Sequence, residues 1–243
     1  GIKLDYDFNF LCMAQWGPRK NMINTIRWFI EENIDRKVGL VVKTNVRKNN
    51  IQDRLEMERL LKNLVSEYPD RACKIYLIHG DLRREEVASL YTHPQIKALV
   101  TAAHGEGFGL PIFEAVCHGM PVISPDWGGQ CDFLYAPVKR GKKTKKKPLF
   151  TRVSYTVGPV QKFAHWAGVI HPESNWCYPE SGSFKMALRD MVNNYDKNKK
   201  RAETLQKHIL KEFSEDKQYK KFADAILDVV GDASASNVVK VFG

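Results

Sequence analysis

The sequence predicts a doubly wound parallel α/β sheet, Rossmann-like, and three observations predict it. Short apolar runs at 8–14, 39–44, 74–79, 96–103 and 121–124 read as buried strands. The stretches between them, at 22–34, 51–68, 84–92 and 111–119, carry apolar residues at helical spacing or sit between helix start and stop signals. A loop rich in glycine follows the run at 96–103 directly. Strands alternating with helices at this spacing pair in parallel through right-handed crossovers, and ligands then lie beyond the strand C-terminal ends. The loops at Trp16, His79-Gly80, His104 and Ser124 are therefore expected to converge.

In chain order, the strand at 8–14 runs into a basic loop, Gln15-Trp16-Gly17-Pro18-Arg19-Lys20, and a helix whose apolar face is Ile23, Ile26, Phe29 and Ile30. That layout sets Arg19 and Lys20 beside a helix start, either as ordinary surface charge or as cations for an anionic ligand. The strand at 39–44 leads to an amphipathic helix with Leu55, Leu60, Leu61, Leu64 and Val65, and the strand at 74–79 ends at Gly80-Asp81.

The most informative stretch is 104–119, H-G-E-G-F-G-L-P-I-F-E-A-V-C-H-G. Gly105, Gly107 and Gly109 precede Pro111, which suits the first helical position because its missing N–H would have no partner there. Gly119 and Pro121 stop the helix. Strand, glycine loop and helix aim free backbone N–H groups, among them those near Gly107, Phe108, Gly109 and Leu110, at one spot where the helix dipole adds about half a positive charge. A phosphate fits such a spot. Two acids, Glu106 and Glu114, flank it, and ionised carboxylates only accept hydrogen bonds, which hydroxyls donate. A phosphate cradle with two hydroxyl-binding acids describes a nucleotide-sugar site. His104, at the strand end, either contacts a phosphate or sugar hydroxyl or plugs the pocket floor. Residues 126–130, D-W-G-G-Q, line the same mouth, with Trp127 read as a cap on the core rather than a stacking platform.

Glu106-Gly107-Phe108-Gly109-Leu110-Pro111, followed by Glu114-Ala115 and Gly119-Met120-Pro121-Val122-Ile123, resembles the E-x7-E signature of retaining glycosyltransferase family four, of the GT-B fold. The resemblance covers roughly 9–133 well and the helices after 182 loosely. It implies the C-terminal, donor-binding half of a two-domain enzyme whose N-terminal GT-B domain is missing from this chain. It further implies that Glu106 holds hydroxyls of the transferred sugar, that Glu114 holds the ribose, and that Lys20 grips the donor diphosphate. The base would lie near Gly80. The family's usual arginine, five positions before the lysine, is Gln15 here, and Arg19 is the substitute. A hexosyltransferase-type reaction without cofactor or divalent metal is implied, with same-face attack and no protein nucleophile. The isolated half is expected to transfer sugar weakly or not at all. The sugar, the base and the acceptor are not readable.

With 243 residues the chain makes one large domain plus appendages. The expected division is a nucleotide-sugar-binding domain at 1–182, C-terminal helices at 183–230 and a loosely held tail at 231–243. The first residue is glycine, no signal peptide fits the start, and no apolar run spans a bilayer, so the chain looks like an excised cytoplasmic piece. Five cysteines without a C-x-x-C read as reduced thiols and no zinc site. The net charge of +10 suits an anionic partner. Residues 139–147, from Lys139 to Lys147, hold seven basic residues in nine and read as a solvated, mobile loop within an insertion at about 136–167. Its open readings are an acceptor, an anionic membrane, nucleic acid or no partner. Two rivals stand beside the transferase: a nucleic-acid-binding module using this loop, and a sugar epimerase or phosphorylase of the same architecture.

Overall fold

The computed structural model describes residues 2–230; the expected tail at 231–243 lies outside them. In chain order the elements are β1 (Asn9–Met13), a 3-10 turn (Pro18–Lys20), α1 (Met22–Glu32), β2 (Gly39–Lys43), α2 (Ile51–Ser66), β3 (Lys74–Ile78), α3 (Arg84–Thr92), β4 (Ile96–Val100), α4 (Leu110–Cys117) and β5 (Val122–Pro125). There follow α5 (Cys131–Leu134), the strands β6 (Tyr135–Arg140), β7 (Lys143–Pro148), β8 (Thr151–Val153) and β9 (Tyr155–Pro159), a 3-10 turn (Lys162–Ala164) and β10 (Asn175–Pro179). The helices α6 (Ser181–Asn193), α7 (Tyr195–Glu212) and α8 (Glu215–Val230) close the chain.

One six-stranded parallel sheet, in the order β3-β2-β1-β4-β5-β8, organises residues 1–206. The chain adds strands outward from β1 on one side, then crosses to the other side at β4. The strand order reverses between β1 and β4, and a crevice opens there beyond the strand ends. Both faces are covered by helices, so the central strands are continuous apolar runs rather than alternating ones: Phe10, Leu11, Leu40, Val41, Val42, Ala98, Leu99 and Val100 are all buried.

On one face α1 buries Met22, Thr25, Ile26, Phe29 and Ile30, the three- and four-residue spacing of a single helix stripe. Beside it α6 buries Phe184, Ala187, Leu188 and Met191, and the Trp28 and Phe184 rings meet at 5.5 Å between centroids. Each such fully buried large side chain is worth about 1.5–3 kcal/mol. Although α6 follows the sheet in sequence, it is part of the central core. Residues 207–230, the end of α7 and α8, belong to a second compact unit.

The lysine run is corrected: it is a β-hairpin rather than a loop. β6 and β7 pair antiparallel from Tyr135↔Pro148 to Arg140↔Lys143, with Gly141-Lys142 as a two-residue connection and Gly141 at φ 62°. A glycine at positive φ in a two-residue turn matches the twist of paired strands, and ladder hydrogen bonds do not require burial. Residues 141–147 remain exposed, and strands rich in lysine are common where an edge must stay unpaired. The rest of the stretch 136–167 divides in two. Thr151–Val153 supplies the sixth strand of the sheet, and β9 with β10 starts a separate small flap.

Candidate functional site

Two loops meet at the crevice. The first leaves β1 and tightens into the 3-10 turn Pro18–Lys20, ending at Asn21 in the left-handed region (φ 51°). The second leaves β4 and carries residues 104–109 into α4, which begins at Leu110 with Gly109 as its cap at φ 85°. They are tied backbone to backbone by the His104 N–H donating to Arg19 O at 2.8 Å. Asn21 adds a buried side-chain bond to Ala102 O at 3.0 Å.

At this junction Lys20 Nζ lies 2.5 Å and 2.7 Å from the two carboxylate oxygens of Glu106. Arg19 reaches the same carboxylate at 3.2 Å and donates to Gly105 O at 2.5 Å. The Glu106 side chain is 11% exposed and that of Lys20 19%, so this pair is sheltered, while Arg19, 41% exposed, reaches it from the solvent side. Gln15, where the resembling family has arginine, donates to Val46 O at 2.9 Å and does not reach Glu106. Arg19, not Gln15, is the neighbour of Lys20 that reaches Glu106.

The glycine loop is held from below by the loop after β5. Gly129 N–H donates to Glu106 O at 2.9 Å, and a Cβ on Gly129 would overlap the Gly107 carbonyl oxygen. Gln130, buried, fixes that lower loop through Ser124 Oγ and the Pro125 and Trp127 carbonyls. The Phe108 ring packs on Phe113 and Phe133 at 5.2 and 5.1 Å, so the loop is anchored on both sides. Among the described residues the amides of Gly109 and Leu110 donate to no protein group, and Leu110 is 63% exposed. They are the free donors of the helix start. Trp127 stands against Tyr155 at 5.6 Å.

Glu114 stands apart from the Lys20–Glu106 cluster. It accepts a hydrogen bond from the hydroxyl of buried Tyr91, on α3, at 2.9 Å. Burial first, and then the Glu114 charge, push the Tyr91 phenol above its ordinary value, so it remains a donor. His104 is buried and its Nδ1 bonds to Cys177 O at 2.7 Å, while Cys177 N–H donates to His104 O at 3.0 Å. Its ring stacks on Trp176 with an interplanar angle of 5°. Burial lowers its pKa, partly countered by the bond to Cys177, which keeps the imidazole neutral.

Gly80, after β3, lies two strands away from β1 in the sheet and does not join the cluster. Its carbonyl accepts from Lys43 Nζ at 2.7 Å, a lysine whose pKa burial lowers. Beside it, buried Asp53 accepts from the amides of Val46, Arg47 and Lys48 at 2.6–2.9 Å and pairs with His79 Nε2 at 2.9 Å. Burial alone would raise the Asp53 pKa, but these hydrogen bonds together hold it well below the usual carboxylate range. Among the described residues no group of three or more His, Cys, Asp or Glu gathers to hold a metal ion, and no helix is long and apolar enough to cross a membrane.

No protein-family model matches the chain, and no curated protein does. Solved structures do. A glycosyltransferase from Rickettsia africae ESF-5 superposes with a TM-score of 0.63 at 13% identity, over 93% of this chain and 48% of that one. The C-terminal domain of a glycosyl transferase group 1 family protein (LpcC) from Francisella tularensis gives 0.51 at 16% identity, over 86% of this chain and 87% of that one. The fold is that of a GT-B C-terminal domain. An Escherichia coli structure described as trehalose-6-phosphate bound with UDP-2-fluoro glucose gives 0.56 at 10% identity, over 90% of this chain and 44% of that one. The chain thus spans about half the length of the first and third of these GT-B proteins.

Within this GT-B domain the sequence pointed to Lys20, Arg19, His104, Glu106 and residues 107–110, and the structure gathers all of them around one junction. Tyr91 and Asp53 were missed. Tyr91 is 23 positions from Glu114 and looks like any helix residue, so nothing local marks it. Asp53 did carry a signal, since Asn50 followed by Asp53 at a helix start is a capping pattern, and Asn50 Oδ1 accepts from Asp53 N at 2.9 Å.

Proposed function

We propose that this chain is the donor-binding half of a retaining glycosyltransferase, moving a hexose-type sugar from a nucleotide-sugar donor to an acceptor. The observation that carries the reading is the Lys20–Glu106–Arg19 cluster at the sheet's reversal point, beside two free helix-start amides. Cations and amides suit a diphosphate, whereas a carboxylate in their midst suits hydroxyls. A nucleotide sugar carries both.

In this reading Lys20, Arg19 and the amides of Gly109 and Leu110 face the diphosphate, Glu106 orients the transferred sugar, and Glu114, steadied by Tyr91, receives the ribose hydroxyls. The base lies over the Gly80 loop. As the bond from the anomeric carbon to the phosphate oxygen breaks, negative charge grows on that oxygen. Pre-positioned cations and N–H donors stabilise it without reorganising. The acceptor oxygen attacks from the same face and passes its proton to the leaving phosphate. No protein nucleophile and no divalent metal are assigned, because the cations carry the charge. A separate N-terminal domain completes the cleft, and the five free cysteines suit a cytoplasmic setting.

Titration calorimetry of the chain against UDP, GDP, ADP, the matching nucleosides, nucleotide sugars and an oligonucleotide tests this. One nucleoside diphosphate is expected to bind at least about tenfold more tightly than its nucleoside. Binding of the oligonucleotide alone overturns the reading in favour of a nucleic-acid module using the β6–β7 hairpin. Robust transfer to a defined acceptor by this chain alone shows that it is not half of the site.

A further inference from the structure

At the other end of the sheet from the Lys20–Glu106 cluster lies a cavity of about 310 Å3. That volume is at the small end of small-molecule sites, about 300–1,000 Å3. It sits where α3 and α4 end and where β4 and β5 begin. The passage from α3 into β4 supplies His93 and Lys97, the end of α4 supplies His118, and the first turns of α7 supply Tyr195 and Lys199. The five residues of β4, about 16 Å of strand, run from this end toward the loop that carries Glu106.

Among the described residues lining this cavity none is acidic. Lys97 pairs with no acid there, and its Nζ lies 5.7 Å from the centroid of the Tyr195 ring. Lys199 spends one N–H on Gly119 O at 2.7 Å, just past the carbonyl end of α4, and keeps two. Gln95 N–H donates to His93 Nδ1 at 3.2 Å, which puts the ring proton on Nε2. Burial lowers the His93 pKa, so that ring is a neutral donor. Burial first, then the charges of Asp196 and Glu203, raise the Tyr195 pKa and keep its phenol protonated; neither acid lines the cavity. Two ammonium groups, an imidazole N–H and a phenol O–H are donors in excess, which is what a phosphate dianion requires. A metal ion would find no anionic ligand, and a neutral ligand would leave both cations unanswered. His118 holds Nδ1 on Glu114 O at 2.8 Å and leaves Nε2 to accept a hydroxyl, so a hydroxylated ester suits the lining better than the bare ion.

We propose that this cavity binds a small hydroxylated phosphate monoester and that its occupancy regulates the donor site. Tyr91 joins the two. Its ring lines the cavity, stacked on His118 at 5.4 Å between centroids, and its hydroxyl donates to Glu114 at 2.9 Å. A ligand held against the Tyr91–His118 pair restricts that ring and fixes the Glu114 carboxylate before a nucleotide arrives. The ordering cost of nucleotide binding falls, and by reciprocity the nucleotide tightens the ester. The regulatory step rests on the donor reading above, in which Glu114 receives the ribose; the phosphate site does not.

Calorimetry on the full chain at fixed ionic strength tests this, with glycerol 3-phosphate, ribose 5-phosphate, inorganic phosphate, succinate and glycerol as probes. At least one ester is expected to bind at least about threefold more tightly than inorganic phosphate, and to keep binding when UDP, GDP or ADP, whichever binds, is saturating. Lys97→Gln should weaken the ester about tenfold and Lys97→Arg restore it, with nucleoside diphosphate affinity in the absence of ester unchanged in both. The ester should tighten nucleoside diphosphate binding about fivefold in the wild type and not at all in Tyr91→Phe, which still binds the ester. No ester binding, equal binding of inorganic phosphate, or tighter binding of succinate overturns the ester assignment. Displacement by the nucleoside diphosphate puts the ester in the donor crevice and overturns the separate site. Ester binding that leaves nucleoside diphosphate affinity unchanged overturns the regulation, and undiminished coupling in Tyr91→Phe overturns the path. Failure of UDP, GDP and ADP alike to bind removes the donor reading and the regulation with it, whereas ester binding and its weakening in Lys97→Gln still decide the phosphate site.

Discussion

Lys20 Nζ and the Glu106 carboxylate are partners at 2.5 and 2.7 Å, across 86 positions of sequence. The group expected to grip the diphosphate is therefore paired with the group expected to hold the sugar. In the proposed reading a donor would enter by exchange, its phosphate taking over the lysine N–H donors while its hydroxyls take over the carboxylate oxygens. Lys20→Ala should weaken nucleoside diphosphate binding by roughly ten- to hundredfold, the scale of a charge-assisted hydrogen bond at about 1.5–3 kcal/mol, and barely touch the nucleoside. Calorimetry with both ligands decides it, and equal weakening of the two would move Lys20 out of the diphosphate site.

The same pairing gives Glu106→Gln two effects of opposite sign. Bare nucleoside diphosphate should bind more tightly, by up to about tenfold, because a negative charge competing for Lys20 and repelling the phosphate is gone. The increment added by the sugar should shrink by about 1–2 kcal/mol, since the amide keeps one acceptor oxygen and loses the charge. Comparing nucleoside diphosphate with nucleotide sugar on the two proteins separates these effects. An equal loss for both ligands would make Glu106 a loop-shaping residue.

In the proposed reading Tyr91 acts on the ligand through Glu114, to which its hydroxyl donates at 2.9 Å. Tyr91→Phe should free the carboxylate to rotate and weaken nucleoside and nucleoside diphosphate alike by roughly three- to tenfold. Glu114→Gln should do the same, and the double variant should lose no more than the worse single one, the non-additivity of groups acting as a unit. Additive losses in calorimetry would show that Tyr91 serves another purpose.

Legibility in the sequence followed the range of the physics. The central strands were readable because a sheet covered on both faces requires continuous apolar runs, and the run ending before His104 supplied one. The 106–114 loop and helix were readable because glycine, proline and acids act on near neighbours. Failures came where distant chain decides. Seven cations in nine residues hid a hairpin because only the Gly141 turn and the pairing partner at 135–140 reveal it. Thr151–Val153 is too short to signal a strand and becomes one by docking on β5. Tyr91, and the bond between His104 and Cys177 across 73 positions, exist only once the sheet has folded.

Asp53 gives the stability a pH dependence of definite sign. Its folded pKa is held below the ordinary value, about 3.9 in an unfolded chain, by three amides and His79 acting against burial. A depressed carboxylate stabilises the fold above its unfolded pKa, and that contribution is lost as pH falls through the folded one. The Tm gap between wild type and Asp53→Asn should therefore be widest at neutral pH and narrow steadily below about pH 4. Melting curves of both proteins between neutral and acid pH check it; a gap that stays constant or widens in acid would refute the role of the ionised form.

Gly129 offers the sharpest separation of folding from binding. A Cβ there would overlap the Gly107 carbonyl oxygen, a backbone atom that no side-chain rotation moves out of the way. The two loops must part in Gly129→Ala, breaking the bond from Gly129 N–H to Glu106 O and shifting Glu106 and the amides that follow it. The clash sits at the mouth, above the buried ends of β4 and β5, so the sheet should still form at a cost of about 1–3 kcal/mol. Nucleoside diphosphate binding should fall by tenfold or more, on the scale of losing one charge-assisted contact, about 1.5–3 kcal/mol. Gly182→Ala is the control: nothing lies within 4 Å of its added Cβ and it sits early in α6, where alanine is favoured by up to about 1 kcal/mol. Circular dichroism melting and calorimetry on both variants read the two effects. Normal nucleoside diphosphate affinity in a folded Gly129→Ala protein would mean that the lower loop does not set the geometry of the site.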